Sequence, residues 1–380
     1  MSKPWIAFFA GLMLLVVGAQ RAAAAPEPPL QIARQGVFFV GGKYIHTAYG
    51  TVMAGQMYVQ FQVPAHQRHP FPIIMIHGQG QSGVNFLSTP DGREGWADIF
   101  LRQGYAVYVV DQAMRGRSAY HAEVDGSVKP FTAEMVEQVF SDPQAAGLWP
   151  QAKLHNQWPG AGVKGDPVFD QYLASELDAT SDLDLRMDVL NRDDGAALLD
   201  RIGPAIVLTH SRSGPFGWLL ADARPELVKA IVAVEPWGPP FRNVGIPGTG
   251  VQRPWGLTVA PLTFEPAAAN PAELLAHEEV APPGVGADKC WVMGGVARRL
   301  PRLARVPIVI VTGEASHHAG YDYCTSRFLT AAGVRNDWLQ LGKAGIHGNA
   351  HMMMLEKNNR QVALAINDWL IHNVHVGPPR

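Results

Sequence analysis

The residues best suited to chemistry lie in one octet, Val207-Leu208-Thr209-His210-Ser211-Arg212-Ser213-Gly214. An apolar run enters a sharp turn with serine at its apex, and a helical pattern leaves it. Such a turn strains the backbone of the apical residue and demands small side chains two positions before and after it. Thr209 and Ser213 stand in those places, where glycine is usual, and Gly214 lets the departing helix pack closely. Ser213 competes as nucleophile, but it would put Pro215 at the second small position, which fits worse. A serine hydroxyl is a weak nucleophile at neutral pH. It needs a base within hydrogen-bonding reach and a third group to orient that base.

With a serine on a strand-to-helix turn, the expected chain order is serine, acid, histidine. The histidine then belongs in the loop before the last helix, Gly345-Ile346-His347-Gly348-Asn349-Ala350-His351. His351 stands at the better offset from that helix, and His347 reads as a brace for the loop. Two acids compete. Glu235 ends the apolar run Ala230 to Val234, where a carboxylate is costly unless partnered. Asp322 follows the next strand by a polar loop and could instead cap a helix. We take Glu235 as the acid and keep Asp322 as its rival. The oxyanion of such a reaction needs two backbone N–H donors. These are expected from Arg212 and from Gln79, the latter in His77-Gly78-Gln79-Gly80-Gln81-Ser82-Gly83. No Gly-Lys-Ser/Thr follows those glycines, so the loop fails as a phosphate cradle.

Short apolar runs must position these groups. They occur at 37–40, 57–63, 73–76, 105–110, 205–208, 230–234 and 306–311, and most are followed by a loop and a helical pattern. The run at 57–63 alternates apolar and polar, as a half-solvated antiparallel strand does. The run at 37–40 precedes it as a further strand, and those from 73–76 onward are continuous, the mark of a buried parallel sheet with crossover helices. Helices are expected over 95–103 and 361–372. Two stretches, about 120–194 and 237–301, break the rhythm and are too long for simple connections. We read them as insertions forming a cap over the carboxyl edge of the sheet, where open α/β sheets bind ligands. They carry Trp149, Trp158, Trp255 and Phe264. Trp237, two residues after Glu235, is expected to wall the pocket.

The chain has 380 residues, 47% of them hydrophobic, and a formal net charge of −2. That supports a large core and gives no basic excess for nucleic acid or an anionic membrane surface. Lys3, the apolar run Trp5 to Val17 and Ala22-Ala23-Ala24-Ala25 read as a signal peptide, residues 1–24, cleaved after Ala24. Export to the periplasm or medium follows, with a mature domain of 25–380 and no stable membrane association. In an oxidising compartment Cys290 and Cys324 can form a disulfide, and two cysteines allow one connectivity.

Taken together, the His77-Gly78 loop, Asp111-Gln112-Ala113-Met114-Arg115-Gly116-Arg117-Ser118, the Ser211 turn and His351 resemble the α/β-hydrolase superfamily over most of the mature chain. Met114 replaces the first glycine of that superfamily's Asp-x-x-Gly-x-Gly-x-Ser turn. The Glu235-Pro236 pair and Gly348 to Asn359 resemble secreted bacterial esterases with a Ser-Glu-His triad whose acid follows strand six. The resemblance implies an α/β fold with a mostly parallel sheet flanked by helices. It also implies ester hydrolysis and does not fix the substrate. The aromatic residues named above favour a small or medium carboxylic ester, partly apolar or aromatic, and the expected reaction runs through an acyl-enzyme with no cofactor. A lactonase, thioesterase or amidase would use the same residues. A silent binding protein fits less well with a complete serine, acid and histidine set. A metalloenzyme lacks a His-Glu-x-x-His helix, and no metal is expected. A homodimer is left open.

Overall fold

The computed structural model describes Met1 and residues 28–180, 184–242 and 252–375. Except for Met1, the expected signal peptide lies outside the described residues. No helix among the described residues is long and apolar enough to cross a membrane.

Eight strands form one central sheet: β1 Ile32–Thr47, β2 Gly50–Pro64, β3 Ile73–Ile76, β4 Val107–Asp111, β5 Ala205–His210, β6 Val228–Val234, β7 Ile308–Thr312 and β8 Asp337–Gln340. Their order across the sheet is β1-β2-β4-β3-β5-β6-β7-β8. The pairs β1/β2 and β2/β4 are antiparallel, and every other neighbouring pair is parallel. Every residue of β3, β5 and β7 is buried, which is why each reads as an unbroken apolar run. The chain thus adopts the α/β fold, a mostly parallel sheet flanked by helices, that the resemblance implies.

Five helices cover the sheet: α1 Trp96–Arg102, α2 Asp184–Ile202, α3 Gly214–Ala223, α4 Asp322–Ala331 and α5 Asn359–Asn373. Two apolar layers result. Phe100 of α1 and Ile366 of α5 belong to one, with Met75 and Val109 of the strands. Leu198 of α2, Phe216 of α3 and Phe328 of α4 belong to the other, with Ile74 and Ile231. α2 begins inside the first of the two expected insertions and lies against β1 and α3.

Two features differ from the sequence pattern. β1 and β2 form a hairpin in register from Arg34↔Val63 to Thr47↔Gly50, far longer than the apolar runs within it. The distal half carries Gly41 and Gly42, both at positive φ, and many exposed residues, so no alternation marks it. β8 lies outside the expected strands. Its Asp-Trp-Leu-Gln is half-buried throughout and pairs only with β7, so backbone bonding rather than hydrophobicity makes it a strand.

In the second of the stretches expected to be insertions, His277–Val280 and Lys289–Val292 form a small antiparallel pair. Cys290 in the second of these strands is bonded to Cys324 in α4, 34 residues away, and both are buried. The bond tethers the insertion to a core helix. In the chain-entropy account, closing a loop of this length stabilises the fold by about 3–4 kcal/mol. The double variant Cys290→Ala/Cys324→Ala should therefore unfold at clearly lower urea. An unchanged midpoint would show that the tether constrains nothing that unfolding releases.

Candidate active site

Ser211 sits where β5 ends and α3 begins. Its φ is +56°, the left-handed region that L residues avoid, so the turn holds it under strain. The surroundings leave no alternative. A Cβ on Gly78 would lie 3.1 Å from the Ser211 Cβ, and one on Gly214 would lie 2.5 Å from the Pro236 Cβ. Gly214 is therefore needed for the close approach of backbone there, and Gly78 leaves a side chain little room. Ser213 is placed differently. Its hydroxyl accepts from the His210 amide at 2.8 Å and lies 2.7 Å from the Ile76 carbonyl oxygen, which takes its proton. It is fully buried and ties β3 to β5, whereas Ser211 is half-exposed.

Glu235 follows β6, also at positive φ, +44°. Its carboxylate has no solvent contact. One oxygen accepts from the Gly313 amide at 2.8 Å, and the other from the Ser316 hydroxyl at 2.7 Å. That second oxygen lies 2.6 Å from Nδ1 of His351. The loop after β7 therefore holds the acid, and the acid holds the imidazole. The Trp237 amide donates to the Ser211 carbonyl at 2.8 Å, fixing the Glu235 segment beside the serine turn. Nε2 of His210 donates to the His351 carbonyl at 3.0 Å, so the residue before the serine also anchors the histidine loop.

The rival candidates go elsewhere. Asp322 accepts from Nδ1 of His318 at 2.9 Å and from the Thr312 hydroxyl at 2.7 Å. His347 is exposed and pairs with Glu314 at 3.1 Å, on the rim.

Electrostatics disfavour charge here. Burial, reinforced by the Asp322 carboxylate, pushes Glu235 well above the usual carboxylate range. Burial and the neighbouring imidazoles of His210, His317 and His318 push His351 well below the usual histidine value. An imidazole so placed is a free base near neutral pH, able to take a proton from a nearby hydroxyl. The ring lies nearly parallel to His318, with centroids 4.9 Å apart, and to Phe140 at 5.6 Å.

The loop after β3 approaches the same turn. His77 accepts from the Gln112 amide at Nε2, so Nδ1–H donates to the Gly78 carbonyl. Burial holds His77 at about 4, neutral at any physiological pH. The Gln79 side chain is exposed, and its backbone N–H has no acceptor among the described residues. The Arg212 guanidinium reaches Asp188 at 3.2 Å and stands 4.2 Å from the centre of the Trp237 ring. Arg253 stands 4.5 Å from the same centre, so the half-buried indole is faced by two cations. Asp111 accepts from the Gly83 amide and from Arg117 through backbone and side chain, bracing this loop. Met114, in the place of a glycine, is at φ +66°.

Of the aromatics expected over the site, Trp149 contacts His317 at 5.3 Å and donates to the Ala315 carbonyl. Trp158 packs on Tyr172, and Trp255 stacks on Phe264 within the core. Sequence reasoning missed Phe131 and Phe140. They stack on each other and run from Gly80 to His351. It also missed the His318–Asp322 pair, which the i, i+4 spacing could have suggested.

No protein-family profile matches the chain. It is 44% identical over 335 residues, 88% of each chain, to the "Probable secreted lipase phiG" of Fungal sp. (strain ATCC 74256). Among solved structures it is similar to the one described as "The Atomic Resolution Structure of a Novel Bacterial Esterase". The TM-score is 0.60 and the identity 24%, over 92% of this chain and 99% of that one. The second likeness concerns the fold.

Proposed function

We propose that this chain, which belongs to the α/β-hydrolase family of that fungal secreted lipase, cleaves carboxylic esters with Ser211 as nucleophile. The observation that carries the reading is the 2.6 Å bond from His351 to a buried Glu235 beside a strained serine. His351 accepts the Ser211 proton as the hydroxyl attacks the ester carbonyl. Glu235 holds the ring in the tautomer that keeps Nε2 free and, ionised, stabilises the imidazolium as it forms, each charge of the pair offsetting the burial that disfavours the other alone. The Gln79 and Arg212 amides receive the developing oxyanion. The leaving alcohol takes the proton from His351, and water then releases the acyl group by the same route. The relative named as secreted supports export, as does the apolar amino-terminal sequence.

Covalent labelling tests the reaction type. A fluorophosphonate should modify one residue per chain, Ser211, and abolish turnover of a p-nitrophenyl ester in the presence of EDTA. Full turnover by a chain that takes up no label would exclude serine chemistry.

Phe131, Phe140 and Trp237 point to a substrate with a bulky apolar or aromatic group. Trp237→Ala should raise KM for bulky apolar esters about tenfold and for acetyl esters of small alcohols much less, measured over a matched ester panel. Equal increases on both would place the indole in the scaffold, as a platform for Arg212 and Arg253.

A further inference from the structure

We propose that His317, His318 and His351 form a binding site for a zinc-class divalent cation, and that filling it switches hydrolysis off. The second half rests on His351 being the base. One ring nitrogen from each of the three histidines lies within 4.8 Å of the other two, and all three residues are buried. Tetrahedral zinc, with Zn–N bonds of about 2.0–2.1 Å, needs its nitrogens roughly 3.4 Å apart. The ring nitrogens must draw together by up to about 1.4 Å to reach that spacing.

The chemistry of the donors is specific. Asp322 occupies Nδ1 of His318 and Glu235 occupies Nδ1 of His351, which leaves Nε2 on each ring for a metal. A carboxylate on the far nitrogen is the usual support of a metal-binding imidazole, because it fixes the ring and raises its basicity. His317 has a buried Nδ1 with no partner among the described residues, an unusual state for a polar atom in a core. A donor set of three imidazoles favours zinc, copper or nickel over calcium and magnesium, which require oxygen. Three protein ligands leave a fourth position open to water.

Such an ion would take the lone pair that otherwise accepts the serine proton. The free site hydrolyses, and the filled site does not. None of the three ligands belongs to the serine turn or to the loop expected to hold the oxyanion.

The test uses the untagged full-length protein, stripped with EDTA and dialysed against zinc. One zinc per chain is expected, with a loss of p-nitrophenyl ester turnover that EDTA reverses. His317→Ala should weaken zinc binding by about tenfold or more. His347→Ala, on the exposed rim, should not. Copper(II) on the wild type should give an electron paramagnetic resonance spectrum coupled to three imidazole nitrogens, which holds even if His317→Ala fails to fold. No stoichiometric zinc, or equal losses in His317→Ala and His347→Ala, would overturn the site. Zinc bound with turnover unchanged would overturn the inhibition. Fluorophosphonate labelling keeps the two readings apart. A labelled Ser211 with no zinc bound sinks the site alone. Full turnover by the zinc-free chain with no label taken up sinks the serine reading, whether or not zinc then binds.

Discussion

Ser211→Ala is expected to lose about 10⁴-fold or more in kcat while unfolding at the wild-type urea midpoint. Ser211 stands at the apex of a strained turn, and in the proposed reaction its hydroxyl is the attacking group. Removing its oxygen takes away the proposed nucleophile while asking nothing new of the backbone. Ser213→Ala supplies the contrast. That hydroxyl joins the His210 amide to the Ile76 carbonyl, so its loss should act on stability, by about 1–3 kcal/mol, and only mildly on kcat. Steady-state kinetics and urea melts on both variants separate the roles. Near wild-type turnover in Ser211→Ala would end the serine mechanism.

Glu235→Gln should lower kcat by about 10²–10⁴-fold, whereas Asp322→Asn should change it only a few-fold. A carboxylate at Glu235 accepts from Ser316, Gly313 and His351 together. An amide there presents a donor to one of them and turns the imidazole toward the wrong tautomer. Asp322 bonds to His318, one ring removed from His351, so its replacement reaches the proposed base only indirectly, through the stacked ring and through its charge on Glu235. Both substitutions preserve volume, which keeps the packing cost low. The reverse ranking of the two kcat values would transfer the role of acid to Asp322.

Much of the fold was legible because its signals are local. Strands β3, β5, β6 and β7 are buried on both faces, so each shows as an apolar run bounded by turn residues. The serine turn was legible for a similar reason. A residue at φ +56° between a strand and a helix requires small neighbours within two positions, and that requirement is written in adjacent letters. The distal half of the β1–β2 hairpin and β8 were not legible. Their strand character comes from backbone pairing with distant or polar partners, and side-chain periodicity does not record it.

The sequence by itself determined that a serine on a sharp turn precedes two candidate acids and two candidate histidines in an α/β order. It did not determine which of them meet. His351 and Glu235 are 116 residues apart, and His155 and Glu356, which brace the same loop, are 201 apart. Only the tertiary structure decided that Glu235 receives His351, that Asp322 receives His318 and that His347 stays on the rim. The physical reason is that a buried carboxylate must find its donors wherever the strand ends bring them. Glu235 leaves β6 facing the loop after β7, and that loop brings Gly313 and Ser316 to its two oxygens. His351 then reaches the oxygen shared with Ser316, because its own carbonyl is held by His210 at the end of the neighbouring strand.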